Sequence, residues 1–404
     1  MKVLEKIVPT KRERDKVAKA TLKFLKSLRL GDAKAHLGGS LAKDTWLSGN
    51  HDIDVFVRFP YDKYKSKDIS KILEQRLPKC NIIHGSRDYF QIKKGSYMFE
   101  LIPALEIKDA KQAMNITDVS PLHVEWVMKH NRHPDQIRLS KAFCKANNLY
   151  GAESYLKCFS GYVLEILTIY YKDFFNFVKN ASQWEKGVVI DPMAYYQDEK
   201  EAKEKINKDK HAALIVVDPV QKDRNAAAAI SDEKFEKFVK LCKEFLHNPS
   251  DDFFKPSKFD LNELKFKAGN NKLVLLEAKP LDRKKDIAGS KMIKSMTYIS
   301  EKLKLEGFDV ISYDWCWYDK AYFWYFVKNS DVPIIKRHYG PPLKEEKHLR
   351  EFAAKWKGHK LKSDGVKVFI ELERKHTTLK DHIKEILEDD YVKENVKSIK
   401  LKIV

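Results

Sequence analysis

Gly39-Ser40-Leu41-Ala42-Lys43-Asp44-Thr45-Trp46-Leu47-Ser48-Gly49-Asn50-His51-Asp52-Ile53-Asp54-Val55-Phe56 is the stretch on which the fold turns. Its last residues read as a strand, where positions i and i+2 point to one side, so Asp52 and Asp54 project two carboxylates together while Ile53 and Val55 face a core. Its first residues, after Gly38, read as a turn that follows a strand-like run from Ala33 to Leu37 and leads through a short helix to the next strand. At such a turn backbone N–H groups and the Ser40 hydroxyl can cradle phosphate oxygens, and Lys43 lies one turn further on. A lone D-x-D is common on solvated edge strands, and a glycine-serine turn is usually only a turn. Together, in the twelve-residue interval from Ser40 to Asp52, they point at a metal-bound triphosphate. Phosphoryl transfer between nucleotides needs divalent ions to hold the triphosphate and to lower the pKa of the attacking hydroxyl.

A third acid should stand on a neighbouring strand. Glu100, in Met98-Phe99-Glu100-Leu101-Ile102-Pro103, is the candidate; the competing reading is an edge-strand Glu paired with a lysine. The strand around it is expected over Tyr97 to Leu105, broken by Pro103. Thr10 and Glu13 have capping-box spacing ahead of a helix with Val17, Thr21, Phe24, Leu25 and Leu28 on one face. Another helix, marked by Ile69, Ile72, Leu73 and Leu77, should stop at Pro78. Residues 1–125 thus read as an α/β unit with a small mixed sheet.

Residues 126–250 read as mainly helical, with helix from about Asp135 to Tyr171 and again from Ser231 with Phe235, Phe238, Val239, Cys242, Phe245 and Leu246 on one face. The extended run Ala212 to Val217, closing on Asp218-Pro219, interrupts them, and Asn248 to Lys258 is the expected linker. Residues 251–404 read as α+β. Strands near Leu273–Glu277, Phe308–Tyr313 and Tyr322–Val327 and a helix near Ser290–Leu305 give a βαββ pattern, ferredoxin-like or RRM-like but without the aromatic signature with which RRMs stack bases.

A chain of 404 residues is too long for one ordinary core. Seventy-seven Lys and Arg against 58 Asp and Glu give a net charge of +19, a field that attracts a polyanion, although a lysine-rich proteome would give the same excess. No stretch reaches the roughly 18 apolar residues of a membrane span, and Met1 to Arg14 lacks the apolar run of a secretory signal. A cytoplasmic location is expected. Five cysteines, Cys80, Cys144, Cys158, Cys242 and Cys316, are odd in number and never form CxxC, so they are expected to be core thiols, not a disulfide framework or a zinc site.

The run from Gly39 to Phe56 resembles the signature of the archaeal class of CCA-adding enzymes, the class I tRNA nucleotidyltransferases. Further stretches match in order: Ser120-Pro121-Leu122-His123; Lys141 through Tyr150-Gly151-Ala152-Glu153 to Phe159-Ser160-Gly161-Tyr162; Asp218-Pro219-Val220 with Arg224-Asn225-Ala226-Ala227-Ala228; and Tyr339-Gly340-Pro341-Pro342. The resemblance implies an α+β multi-domain chain with a polymerase-β-like nucleotidyltransferase head, a helical neck, and an α+β body and tail that grip the tRNA acceptor arm. It implies template-independent addition of C, C and A to the tRNA 3′ end from CTP and ATP, with Mg²⁺. Asp52, Asp54 and Glu100 would be the catalytic metal ligands. Gly39, Ser40, Lys43, Ser120, His123, Lys141 and Tyr150 would bind the nucleotide, and Arg224 would read its base jointly with RNA phosphates. The expected partners are tRNA and the two nucleotides, with no membrane and with room for a homodimer.

Each of these residues has a plainer reading. Lys141 could be a surface lysine, His123 a satisfied core or cap histidine, Tyr150 a helix-end aromatic, and Arg224 a solvated turn residue. The sequence also departs from the family. Glu100 stands where Asp is usual, and its longer side chain must retract by about 1.5 Å to keep Mg–O distances near ~2.0 to 2.1 Å. Ser86-Arg87-Asp88-Tyr89 keeps only the tyrosine of the usual segment, so the rest of it is assigned no role. Two other readings stay open, an RNA-terminal adenylyltransferase of the same superfamily and an RNA-binding pseudoenzyme.

Overall fold

Thr10 starts the first long helix as its spacing predicts. Its hydroxyl accepts a hydrogen bond from the Glu13 N–H at 3.2 Å, and α2 (Lys11–Ser27), after the short α1 (Val3–Ile7), buries Val17, Thr21 and Phe24. The structure is a computed structural model that describes residues 2–50, 52–206, 212–256, 259–318 and 320–404. Its backbone divides into two units, residues 1–257 and 258–404.

In the first unit five strands form a sheet in the order β1-β2-β5-β4-β3. They are β1 (Lys34–Leu37), β2 (Asp52–Pro60), β3 (Asn81–Ile83), β4 (Tyr89–Lys94) and β5 (Tyr97–Glu106), with α3 (Gly39–Ala42), α4 (Tyr61–Tyr64) and α5 (Ile69–Arg76) between them. Only β2 and β5 run parallel, so the small mixed sheet is as expected. Alternation in β2 and β5 sends Ile53, Val55, Val57, Phe99 and Leu101 into a core with Phe24, whose ring stacks on Phe99 at 3.9 Å. One expectation fails: β5 is not broken at Pro103 but runs on to Glu106. Pro103 pairs with Val57 on the parallel side and lies beyond Leu101, the last residue paired with β4, so its missing N–H can fall where no ladder needs it.

The rest of this unit is mostly helical. The helical segment from about Asp135 to Tyr171 is made of two helices, α7 (Pro134–Ala146) and α8 (Gly161–Tyr170), after α6 (Ile116–His130). Between them Gly151 has φ +120°, which the right-handed helix cannot accommodate, and Tyr150 bridges Phe159. With α9 (Phe174–Ala181) and α11 (Asp232–His247), capped by Ser231, they enclose a second core of Phe143, Phe159, Phe177, Phe238 and Phe245. The expected extended run becomes β7 (Leu214–Asp218) between β6 (Val188–Ile190) and β8 (Gln221–Asn225), with α10 (Glu199–Lys205) inserted. The expected linker is partly core: Phe253 and Phe254 lie on a 3₁₀ turn and pack on Phe143 and Phe174. Residues 257 and 258 of it lie outside the described residues. Among the cysteines Cys144, Cys158 and Cys242 are buried and Cys80 and Cys316 half-buried, all as free thiols.

The second unit begins with α12 (Leu261–Ala268) and continues β9 (Lys272–Lys279), α13 (Lys285–Leu305), β10 (Val310–Trp317), β11 (Ala321–Val327). An insertion of β12 (Ile335–Pro342), α14 (Glu346–Lys355), β13 (Lys362–Ser363) and β14 (Lys367–Glu373) follows, then α15 (Leu379–Leu387), α16 (Asp390–Lys393) and β15 (Ser398–Ile403). The main sheet has the order β10-β11-β9-β15 with every neighbour antiparallel, so the βαββ pattern completes itself as a ferredoxin-like βαββαβ unit. Among the described residues no helix is long and apolar enough to cross a membrane.

Candidate active site

The parallel pairing of β2 with β5 places Asp54 opposite Glu100 and Asp52 opposite Met98. Paired residues point to the same side, so Asp52, Asp54 and Glu100 share the face turned away from the core. The glycine turn is locked onto this strand. The Gly38 N–H donates to the Asp54 carbonyl at 2.8 Å, and Gly39 sits at φ +57° with its Cα so close that an added Cβ would lie 1.6 Å from Asp54 Oδ2. Turn and acid pair are therefore one object, and only glycine fits between them. Ser40, Lys43, Asp52, Asp54, Glu100, Lys141 and Tyr150, seven of the residues expected from the sequence, line one cavity of about 400 Å³.

Lysines line the same cavity as the acids. Lys43 Nζ donates to Glu165 Oε2 at 2.6 Å, Lys141 Nζ to Glu165 Oε1 at 2.7 Å and to Thr45 Oγ1 at 2.8 Å, and the Thr45 hydroxyl donates to Glu165 Oε1 at 2.7 Å. Burial pushes the Glu165 carboxyl upward, but Lys141 and Lys43 outweigh it and bring its pKa to about 2. Burial also lowers Lys141, to about 8, against the pull of Glu165. Lys141 is thus a buried, paired cation, not the surface lysine of the plainer reading. Tyr150 is displaced upward by burial and by neighbouring acids, so its phenol keeps its proton, and Gly161 makes room for it, since a Cβ there would meet the Tyr150 oxygen at 2.8 Å.

Burial raises the Asp54 carboxyl, Lys43 draws it back, and the Asp52 charge raises it again, so this side of the cavity favours a cation. Among the described residues no three His, Cys, Asp or Glu side chains already form a cage for a metal ion. Magnesium does not need one, because it commonly takes one or two carboxylates with water and substrate phosphates completing the shell. Two aspartates on one face, beside the glycine turn, fit that requirement. Glu100 accepts from Gln91, its cross-strand neighbour, at 3.4 Å.

Ser120, His123 and Arg224 do not line this cavity. Ser120 returns its hydroxyl to the Ile116 carbonyl at 3.4 Å on α6. His123 and Arg224 meet instead at Asp218, the fully buried end of β7. Arg224 donates to Asp218, Tyr162 donates to it at 3.3 Å, and His123 Nε2 lies 3.1 Å away as an electrostatic contact, not an aligned hydrogen bond. Burial pushes Asp218 up, yet His123, Arg224 and the Val220 N–H hold it below the usual carboxylate range; burial keeps His123 below the usual imidazole range. The two clusters touch, because His123 stacks on Tyr162 at 4.2 Å and Lys43 Nζ lies 6.0 Å over the same ring.

Sequence reasoning missed Glu165, Thr45, Tyr162 and the hub role of Asp218. Glu165 had a legible signal: it interrupts an otherwise apolar helix, Gly161-Tyr162-Val163-Leu164-Glu165-Ile166-Leu167, where a charge must find partners. Arg87, to which the sequence assigns no role, grips the buried Asp118 together with the N–H groups of Leu105, Met114 and Asn115, and so ties the turn between β3 and β4 to α6.

Comparison with known proteins covers nearly the whole chain. The nucleotidyltransferase domain matches residues 18–117, the second domain of tRNA nucleotidyltransferase 135–255, and the C-terminal domain of CCA-adding enzyme 271–400. The CCA-adding enzyme of Nanoarchaeum equitans is 35% identical over 350 residues, 84% of this chain and 84% of that protein. Those of Pyrococcus abyssi and Thermococcus kodakarensis are 33% and 31% identical, over 87% and 96% of this chain and 81% and 89% of their own length.

Proposed function

The chain belongs to the CCA-adding enzymes, and on that premise we propose how it completes tRNA, adding C, C and A to the 3′ end from CTP and ATP with no nucleic-acid template and with release of pyrophosphate. The observation that carries the residue-level reading is the meeting of Ser40, Lys43, Lys141, Tyr150 and the three acids in one cavity. Nucleotidyltransferases of this family work with divalent ions, and we assign Mg²⁺ to Asp52, Asp54 and Glu100. When bound, such ions lower the pKa of the primer 3′ hydroxyl and neutralise the triphosphate.

The protein's own groups do the rest. The turn at Gly39 and the Ser40 hydroxyl offer donors to the β- and γ-phosphates. Lys43 and Lys141 supply fixed positive charge against the negative charge that gathers on the departing pyrophosphate. Tyr150, held protonated, offers a hydroxyl to the sugar or triphosphate. Arg224, fixed by Asp218, presents a planar donor fork suited to the acceptor edges of C and A or to an RNA phosphate. His123 and Ser120 belong to this neighbouring cluster and to α6, and we assign them to the nucleotide through that surface. Domains at about 1–125, 126–250 and 251–404 would serve as catalytic head, neck and tRNA-binding body with tail, in a protein we place in the cytoplasm.

The test is incubation with Mg²⁺, a tRNA lacking its last three nucleotides, and CTP or ATP singly and together. Two C from CTP followed by one A when ATP is present is the expected result. Addition of A alone would replace the reading by a terminal adenylyltransferase, and no addition by an RNA-binding pseudoenzyme.

A further inference from the structure

We infer that Glu165 is a positioning residue for nucleotide binding: its two carboxylate oxygens hold the Lys43 and Lys141 ammonium groups side by side at the cavity wall, where both face the incoming triphosphate. The inference rests on the reading of this cavity as the nucleotide site. A lysine has a long stem with many rotamers, and a second ammonium nearby drives it away, so two lysines sharing one wall need an anion between them. Glu165 supplies it at 2.6 and 2.7 Å from the two Nζ atoms. Thr45 closes the arrangement by accepting from Lys141 and donating to Glu165, so the buried polar atoms are satisfied as a ring and held in one geometry.

The location of the acid argues the same way. Glu165 is fully buried in an apolar helix, where a hydrophobic residue of similar volume would serve stability at least as well. A buried acid that serves only as filler has no need to meet two of the three lysines that line the cavity, Lys43 and Lys141 beside Lys145. One carboxylate between two ammonium groups also leaves a net positive charge, so the wall still attracts a polyphosphate while the lysines stay in place.

The experiment first measures C, C and A addition by the unaltered protein; failure at that stage removes the nucleotide-site reading itself, before any variant is compared. In an active background, Glu165→Gln should raise KM for both CTP and ATP about tenfold, the loss of one charge-assisted contact, with KM for tRNA unchanged and a smaller fall in kcat. A purely structural role would lower the melting temperature and the active fraction, hence apparent kcat, and leave nucleotide KM alone. An unchanged KM in a folded Glu165→Gln protein overturns the inference. If that variant does not fold, Glu165→Asp decides. It keeps the charge but withdraws it by about 1.5 Å, too far to reach both lysines; raised nucleotide KM supports the inference and wild-type KM overturns it.

Discussion

Gly39→Ala should disable the enzyme without unfolding it, and the structure lets the loss be sized. Two costs arise. The backbone at φ +57° disfavours any Cβ by about 1–2 kcal/mol, enough to lower the melting temperature by roughly 2–8 °C. The second cost falls on the chemistry. An alanine Cβ would lie 1.6 Å from Asp54 Oδ2, whereas such contacts do not fall below 3.0 Å, so turn and carboxylate must part by about 1.4 Å. A displacement of about 1 Å at reacting groups can cost about 100-fold, so single-turnover addition of C should fall by at least about that factor. Gly95→Ala is the control. It has φ +62° but nothing within 4 Å of the added Cβ, so it should bear the backbone cost alone and keep its activity. The assay is rapid-quench addition of C to a tRNA lacking its last three nucleotides, with thermal melts of both variants. Gly39→Ala activity within about threefold of Gly95→Ala would refute the view that the turn exists to let Asp54 approach, since it lies far below the ~100-fold expected for such a shift.

Glu100→Gln should abolish turnover while largely sparing tRNA binding measured by filter retention; unchanged turnover would reject Glu100 as the third ligand. Arg87→Met leaves the buried Asp118 with only its N–H partners, and should cost about 3 kcal/mol in denaturant titration, the low end for a broken buried pair. For His123, burial lowers the folded-state pKa below the unfolded value, so the folded state resists protonation and stability falls as pH drops below about 6.5. His123→Phe should flatten that part of the stability curve between pH 7 and 5, and an unchanged slope would remove His123 as its source. The net charge of +19 predicts that tRNA affinity falls steeply and log-linearly with salt, whereas nucleotide KM changes little; equal salt slopes would argue against phosphate contacts as the basis of tRNA binding.

The sequence by itself determined what depends on neighbours along the chain. Period-two alternation was enough to put Asp52 and Asp54 on one face, helical caps were legible at Thr10 and Ser231, and the break after the strand ending at Leu37 was legible in Gly38-Gly39-Ser40. It determined less well where one residue overrides a pattern. Pro103 looked like a strand break because the sequence does not show which side of β5 lacks a partner, and the helical pattern from about Asp135 to Tyr171 did not show that it holds two helices with Gly151 between them. Only the tertiary structure decided the charges. Lys141 reads as one lysine among many until Glu165, 24 residues away, and Thr45, 96 residues away, are found against it. Asp218 becomes a hub only because folding brings His123, Tyr162 and Arg224 to a single buried carboxylate. The physical reason is burial. Local order comes from short-range sterics and hydrogen bonding, but whether a charged group is solvated, paired or shifted depends on groups that only the folded chain brings within a few ångströms.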